Sequence, residues 1–162
     1  MVDKRNYQRA AQELCKQFPL QLLDFEGLFV DALRDVATKA GAKWQAVVNA
    51  DATPGSDAWK KFLVLVNRAM PIVEQQLSTA TRTILLTYPG LLARYDQMPL
   101  LERLREKVGR SDGIPGLWML IPGDSQPLLD GKAIPIISPG QRSRIPETWL
   151  KNIHGAIHEV KE

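Results

Sequence analysis

Hydrophobic residues in the first eighty positions recur every three or four residues, which is the spacing of one face of an α-helix. Three such stripes predict three helices, over residues 7–18, 22–40 and 59–77. Pro71 has no backbone N–H to donate, so we expect the third helix to kink or break near Met70. Residues 49–56 contain Asn, Asp, Thr, Pro, Gly and Ser, and this composition predicts a loop.

The pattern changes after residue 80. Two short apolar runs, Thr83–Thr87 and residues 117–121, predict buried β-strands. Residues 91–95 predict a single helical turn, and residues 99–109 predict a compact helix with Pro99 in its first turn. We expect the two strands to lie side by side, joined by the 99–109 helix.

A hairpin and a last helix complete the predicted elements. Asp130-Gly131 separates two apolar runs, 128–129 and 132–137, and this dipeptide is typical of a tight β-turn. Pro146 precedes a helical stripe that reaches residue 160. The sequence therefore predicts an α+β fold, in which a helical segment (1–80) packs on a small mixed sheet formed by an α/β segment (81–162). We expect the two segments to share one core.

Composition narrows the class of protein. The chain has 162 residues, of which 44% are apolar and 24% charged, with a formal net charge of +3. These values suit a folded domain and exclude a disordered, collagen-like or disulfide-stapled chain. The single Cys15 fits a reducing compartment, and the polar start of the chain does not resemble a secretory signal. No apolar run approaches the ~20 residues of a membrane helix, so we expect a soluble cytoplasmic protein without a membrane partner.

Catalytic and metal-binding chemistry finds little support in the sequence. His154 and His158 stand four residues apart on the predicted last helix, but no further ligands complete a metal site. Cys15 lies beside an apolar stripe, which favours packing over nucleophilic chemistry. No protein-kinase signature or phosphate-binding loop is present. We therefore expect no catalytic residue, no metal and no cofactor, and a chain that is not itself an enzyme.

Two loops follow the predicted strands at positions where α/β proteins often bind ligands. Pro89 and Gly90 follow the first strand, and Asp124 and Ser125 follow the second. The loops would share one edge of the sheet if the strands are parallel. Simple turns explain both loops as well, because Pro and Gly surround them. A hydrolase or transferase that uses Asp124 and Ser125 is a further alternative, but the sequence identifies no base for it.

Basic residues cluster around the 99–109 helix and the last predicted turn. The candidates for binding phosphate or an acidic partner are Arg94, Arg103, Arg105, Arg110, Arg142 and Arg144. Acidic residues such as Glu102 and Glu106 are interleaved with them, which also fits a solvated helix with surface ion pairs. Nucleic-acid or nucleotide-phosphate binding through these arginines is the alternative function that the sequence leaves open.

Four segments carry a resemblance to a known family. They are LLTYPGLLARY (85–95), GLWMLIPG (116–123), DGKAIPI (130–136) and RIPETWL (144–150). These segments resemble the tail region of the large serine/threonine kinase component of BREX (Pgl-type) phage-resistance systems. The resemblance implies a bacterial, cytoplasmic defence setting for a detached tail domain, and it carries no catalytic residue over. Its implied partners are other defence-system proteins or the remainder of a larger parent chain.

The leading hypothesis is a non-catalytic interaction or regulatory domain. Its expected working surface is the strand-end edge near Pro89, Gly90 and Asp124, and Arg94 would anchor a carboxylate or phosphate of the partner.

Overall fold

A computed structural model describes residues 1–123, 126–136 and 138–152. Its helices are α1 (Tyr7–Gln17), α2 (Phe25–Lys39), α3 (Trp44–Asp51), α4 (Asp57–Ser78), α5 (Gly90–Arg94), α6 (Pro99–Lys107) and α7 (Glu147–Asn152). Its strands are β1 (Leu20–Asp24), β2 (Thr83–Thr87), β3 (Leu117–Met119), β4 (Leu128–Leu129) and β5 (Lys132–Ala133). Short 3₁₀ turns occupy Lys4–Asn6 and Pro139–Gln141. Within this described part, no helix has both the length and the apolar character needed to cross a bilayer.

A parallel three-stranded sheet in the order β1-β2-β3 organises the fold. The central strand β2 is buried on both faces, because successive side chains of a strand point to opposite sides. Ile84 and Leu86 join the hydrophobic cluster formed with α2, α4 and α6, while Leu85 joins the cluster formed with α1 and α7. The predicted side-by-side arrangement of the two strands and the α+β class are both confirmed.

Strand β1 corrects the predicted start of the second helix. Leu22 lies three residues before Phe25, so it fits a helical stripe, but it pairs with Leu85 of β2. The helix begins only at Phe25, because the Asp24 side chain caps it by accepting a hydrogen bond of 3.0 Å from the Glu26 amide. The prediction that Leu22 is helical is wrong.

Two predictions about the helices also need correction. The first three residues of the predicted 49–56 loop belong to α3, which ends at Asp51. Of the kink or break predicted near Met70, the break does not occur, since α4 continues through Pro71 to Ser78. Pro71 lies on the exposed side of α4, so water can reach the carbonyl that loses its partner. Ser56 caps the start of α4, because its Oγ accepts a 3.0 Å hydrogen bond from the Trp59 amide.

The predicted hairpin is confirmed, with a shorter second strand. Strands β4 and β5 pair antiparallel across Asp130 and Gly131, whose φ angles are 47° and 78°. Both angles are positive, as this two-residue turn requires. Strand β5 ends at Ala133 instead of continuing to residue 137, and β3 likewise ends at Met119 instead of residue 121. Ile137 and the predicted helix beyond residue 152 lie outside the described residues.

Candidate functional site

A crevice of about 710 Å³ lies at the carboxyl ends of the parallel strands. The predicted strand-end edge is therefore present as a concave surface. Helix α1 and the β4–β5 hairpin close its sides. The residues that line it include Tyr7, Tyr88, Pro89, Gly90, Arg94 and Leu128.

At the carboxyl ends of β2 and β3, the Tyr7 hydroxyl stands in place of one direct hydrogen bond between the two chain segments. Leu120 donates to the Leu86 carbonyl in the last direct hydrogen bond between the two chain segments. The next bond of a parallel ladder would run from the Tyr88 amide to the Leu120 carbonyl. Instead, the Tyr88 amide donates to Tyr7 Oη at 2.9 Å, and the Tyr7 hydroxyl donates to the Leu120 carbonyl at 2.8 Å. Tyr7 thus relays one hydrogen bond of the sheet.

Tyr88 presents its ring at the crevice in a strained backbone conformation. Its φ angle is 51°, a region that non-glycine residues other than Asn and Asp seldom adopt. The side chain is 39% exposed, and its ring centroid lies 5.0 Å from that of Tyr7. Burial raises the pKa of Tyr7 to about 12, so its hydroxyl stays protonated at neutral pH. The packed rings of Tyr7 and Tyr88 therefore give the crevice an aromatic surface.

Arg94 lines the crevice while it is held by Asp51. Its Nη2 lies 2.9 Å from Asp51 Oδ1, and the Tyr95 hydroxyl donates to the same oxygen at 3.0 Å. The guanidinium also lies 5.9 Å from the centre of the Trp59 ring. The hydrogen bond with Asp51 raises the pKa of Arg94. This arrangement ties α5 to α3, and a partner would meet an arginine that already has one carboxylate bound.

Arg103 takes part in a different internal contact, outside the crevice. Its Nε donates to Glu74 Oε2 at 2.9 Å, and Lys107 Nζ donates to Glu74 Oε1 at 3.0 Å. Burial opposes ionisation of Glu74, but these two hydrogen bonds prevail and lower its pKa. The contact joins α6 to α4.

The remaining arginines separate into two groups. Arg105, Arg142 and Arg144 line a second groove, of about 970 Å³, along β3. Arg144 also interacts electrostatically with Asp3. Arg110 is exposed and does not line either concave surface. The six predicted arginines thus lie in several places instead of forming one basic face.

Other candidate residues have the following positions. Asp124, Ser125, His154 and His158 lie outside the described residues. Within the described ranges, no group of three or more His, Cys, Asp or Glu side chains could hold a metal ion. Cys15 is partly buried beside the α1 cluster, and burial raises the pKa of its thiol. This environment favours the neutral thiol over the nucleophilic thiolate.

The sequence prediction did not identify Tyr7 as part of the crevice. In the sequence, Tyr7 is simply the first residue of the hydrophobic stripe over residues 7–18. A tyrosine among buried Ala and Leu residues needs a partner for its hydroxyl, and this requirement is a usable signal. Asp51 gives no comparable signal, because 43 positions separate it from Arg94 in the chain.

The chain is 32% identical over 154 residues to a protein named "Probable kinase PglW" from Streptomyces coelicolor. The match takes in 86% of this chain. The chain is therefore similar to a segment of a Pgl-type kinase. It spans about 10% of the length of that relative. The predicted resemblance is confirmed, and a match to a tenth of a much longer protein agrees with a tail region.

No family model matches the chain. No solved structure matches it either.

Proposed function

We propose that this chain is a non-catalytic interaction or regulatory domain of a BREX (Pgl-type) phage-defence protein in a bacterial cytoplasm. The similarity to PglW supports the defence setting. The chain contains none of the glycine-rich loop, catalytic Asp motif or D-F-G that kinase chemistry requires. Its role in such a protein is therefore to bind, either to the remainder of a larger parent chain or to another component of the system.

The crevice at the carboxyl ends of the strands is the proposed working surface. One observation carries this proposal: two polar side chains at the crevice, Tyr7 and Arg94, already hold parts of the fold together. Tyr7 bridges two strand ends, and Arg94 is bound by Asp51. What remains for a partner is a preformed surface, with the Tyr88 ring exposed at its edge. Preformed concave surfaces with aromatic anchors are typical of binding sites.

A pull-down tests the proposal with purified components of the defence system as prey. The test variant is Tyr88→Asn, because Asn tolerates the positive φ at this position and removes the ring without adding backbone strain. We expect this variant to lower capture about tenfold, the effect of losing one modest aromatic contact. Val64→Asn is the matched control, since Val64 is exposed on α4 and does not line the crevice.

Two results would count against this proposal. Equal capture by the wild type and the Tyr88→Asn variant would exclude the crevice as the binding surface. Full protection against phage after deletion of this segment from a parent protein would exclude the regulatory role itself.

A further inference from the structure

The second groove follows the outer edge of β3, which is the edge strand of the sheet. It lies between β3 on one side and residues 134–136 and 140–146 on the other. Its apolar lining is accessible to solvent: Phe18 is 41% exposed and Trp118 is 42% exposed, and their rings pack edge to face at 5.2 Å. Val108 and Ile136 add two further exposed apolar side chains. Exposed apolar side chains gathered in one groove are typical of a binding surface.

The backbone of β3 offers unused hydrogen-bonding groups to this groove. The Gly116 carbonyl accepts from the Ile84 amide, and the Leu120 amide donates to the Leu86 carbonyl. The backbone N–H and C=O groups of the even-numbered residues in this segment therefore point toward β2. In a parallel ladder, the backbone N–H and C=O groups of the intervening residues Leu117 and Met119 must point away from β2, toward the groove. Within the described ranges, no other backbone group hydrogen-bonds to either residue.

The same edge already accepts one residue from elsewhere in the chain. The Val2 amide donates to the Ile121 carbonyl at 3.0 Å, and the Gly123 amide donates to the Val2 carbonyl at 2.8 Å. Val2 and Pro122 thereby form a parallel bridge just beyond the end of β3. The outer edge of β3 thus has the geometry that strand pairing needs.

The charge on the groove selects the kind of partner. Arg105, Arg142 and Arg144 line it, whereas no Asp or Glu is found among its described lining residues. An extended peptide with acidic side chains would pair its carboxylates with Arg105 and Arg142 and its backbone with β3. A polynucleotide has no alternating N–H and C=O groups to match Leu117 and Met119, so the strand edge favours a peptide.

We propose that this groove binds an acidic, extended peptide, which adds to β3 as a fourth strand of the sheet. Among the residues that the structure describes, none lines both this groove and the crevice at the carboxyl ends of the strands. The inference therefore does not rest on the crevice, and the two surfaces can be tested separately.

The test uses a fluorescent peptide of about ten residues that alternates Val and Glu, a length that spans an edge strand with margin. Binding is measured by fluorescence anisotropy against the same peptide with Lys in place of Glu. We expect the wild type to prefer the Glu peptide about tenfold or more, as complementary charges predict. The double variant Arg105→Glu/Arg142→Glu should reverse this preference, whereas Arg110→Glu, an exposed arginine outside the groove, should not change it.

A second measurement tests strand addition itself. Amide hydrogen exchange at Leu117 and Met119 should slow about tenfold when the Glu peptide is bound, because their N–H groups gain partners. Two Glu peptides, one N-methylated at its Val residues and the other at its Glu residues, test the ladder. One of the two should lose binding, since only alternate N–H groups of an added strand face β3.

Three outcomes would overturn this inference. They are no binding of the Glu peptide at about 1 mM, unchanged binding of both N-methylated peptides, and tighter binding of a ten-nucleotide oligo-dT than of the Glu peptide. The last result would indicate that the arginines of the groove bind nucleic acid instead of an acidic peptide. The Tyr88→Asn variant should bind the Glu peptide like the wild type, so failure at the groove is distinguishable from failure at the crevice.

Discussion

Replacing Tyr7 by Phe removes one oxygen atom and, with it, the relay between the ends of β2 and β3. The Tyr7 hydroxyl makes two hydrogen bonds, of 2.8 and 2.9 Å, and both of its partners are backbone groups. The ring itself is almost completely buried and contacts the Tyr88 ring. Phe retains this packing, so the substitution isolates the contribution of the hydroxyl.

The expected cost follows from the two contacts that are lost. Each hydrogen bond contributes about 1 kcal/mol net, and a backbone group left without a partner adds to the cost. Because Tyr88 lies at the crevice, water can satisfy part of this loss, and we expect a total of about 2–3 kcal/mol. For a chain of this length, that change lowers the midpoint of thermal unfolding by about 4–12 °C.

Thermal and urea unfolding of the Tyr7→Phe variant measure this effect. Tyr88→Phe is the matched control, because it removes a hydroxyl from the neighbouring exposed ring and should change stability by less than about 0.5 kcal/mol. If Tyr7→Phe melts within about 1 °C of the wild type, the hydroxyl does not support the sheet and the relay has no energetic importance.

Three further predictions concern stability. Gly113→Ala should destabilise the fold by more than about 2 kcal/mol in urea unfolding, because its Cβ would collide with the Lys107 carbonyl. Gly90→Ala is the control, since a Cβ there meets open space and should leave the free energy of unfolding nearly unchanged. Glu74→Gln should cost about 1–2 kcal/mol near neutral pH. Its pKa is lowered in the folded state, so the difference from the wild type should shrink as the pH falls below about 4. Burial raises the pKa of Tyr95 to about 12, so the wild type should lose stability as the pH rises above about 10, and Tyr95→Phe should lose less over that range.

Hydrophobic spacing predicted the elements that are buried in a regular pattern. The α1 stripe and the apolar run of β2 correspond closely to the structure, and the Asp130-Gly131 turn is where its chemistry predicts it. Strand β1 was not predicted because five residues next to a longer helical stripe give no separate period. Pairing with β2, which is a contact between distant parts of the chain, decides its conformation.

The candidate site was only partly predictable for a related reason. Pro89 and Gly90 follow a strand and line the crevice, since strand ends of a parallel sheet meet at one edge. The distribution of the arginines depends on tertiary contacts instead. Asp51 binds Arg94 from another helix. Arg105 and Arg142 line the same groove although 37 positions separate them in the sequence. No local sequence pattern predicts either arrangement.

The central place of β2 determines the order in which this protein can fold. Leu20 of β1 pairs with Thr83 of β2, so the first strand has no partner until more than sixty further residues are available. Strand β3 follows β2 in the chain, so its partner is already available when β3 is synthesised. During synthesis, β1 must therefore wait for β2, and the closure of this long loop should set the folding rate.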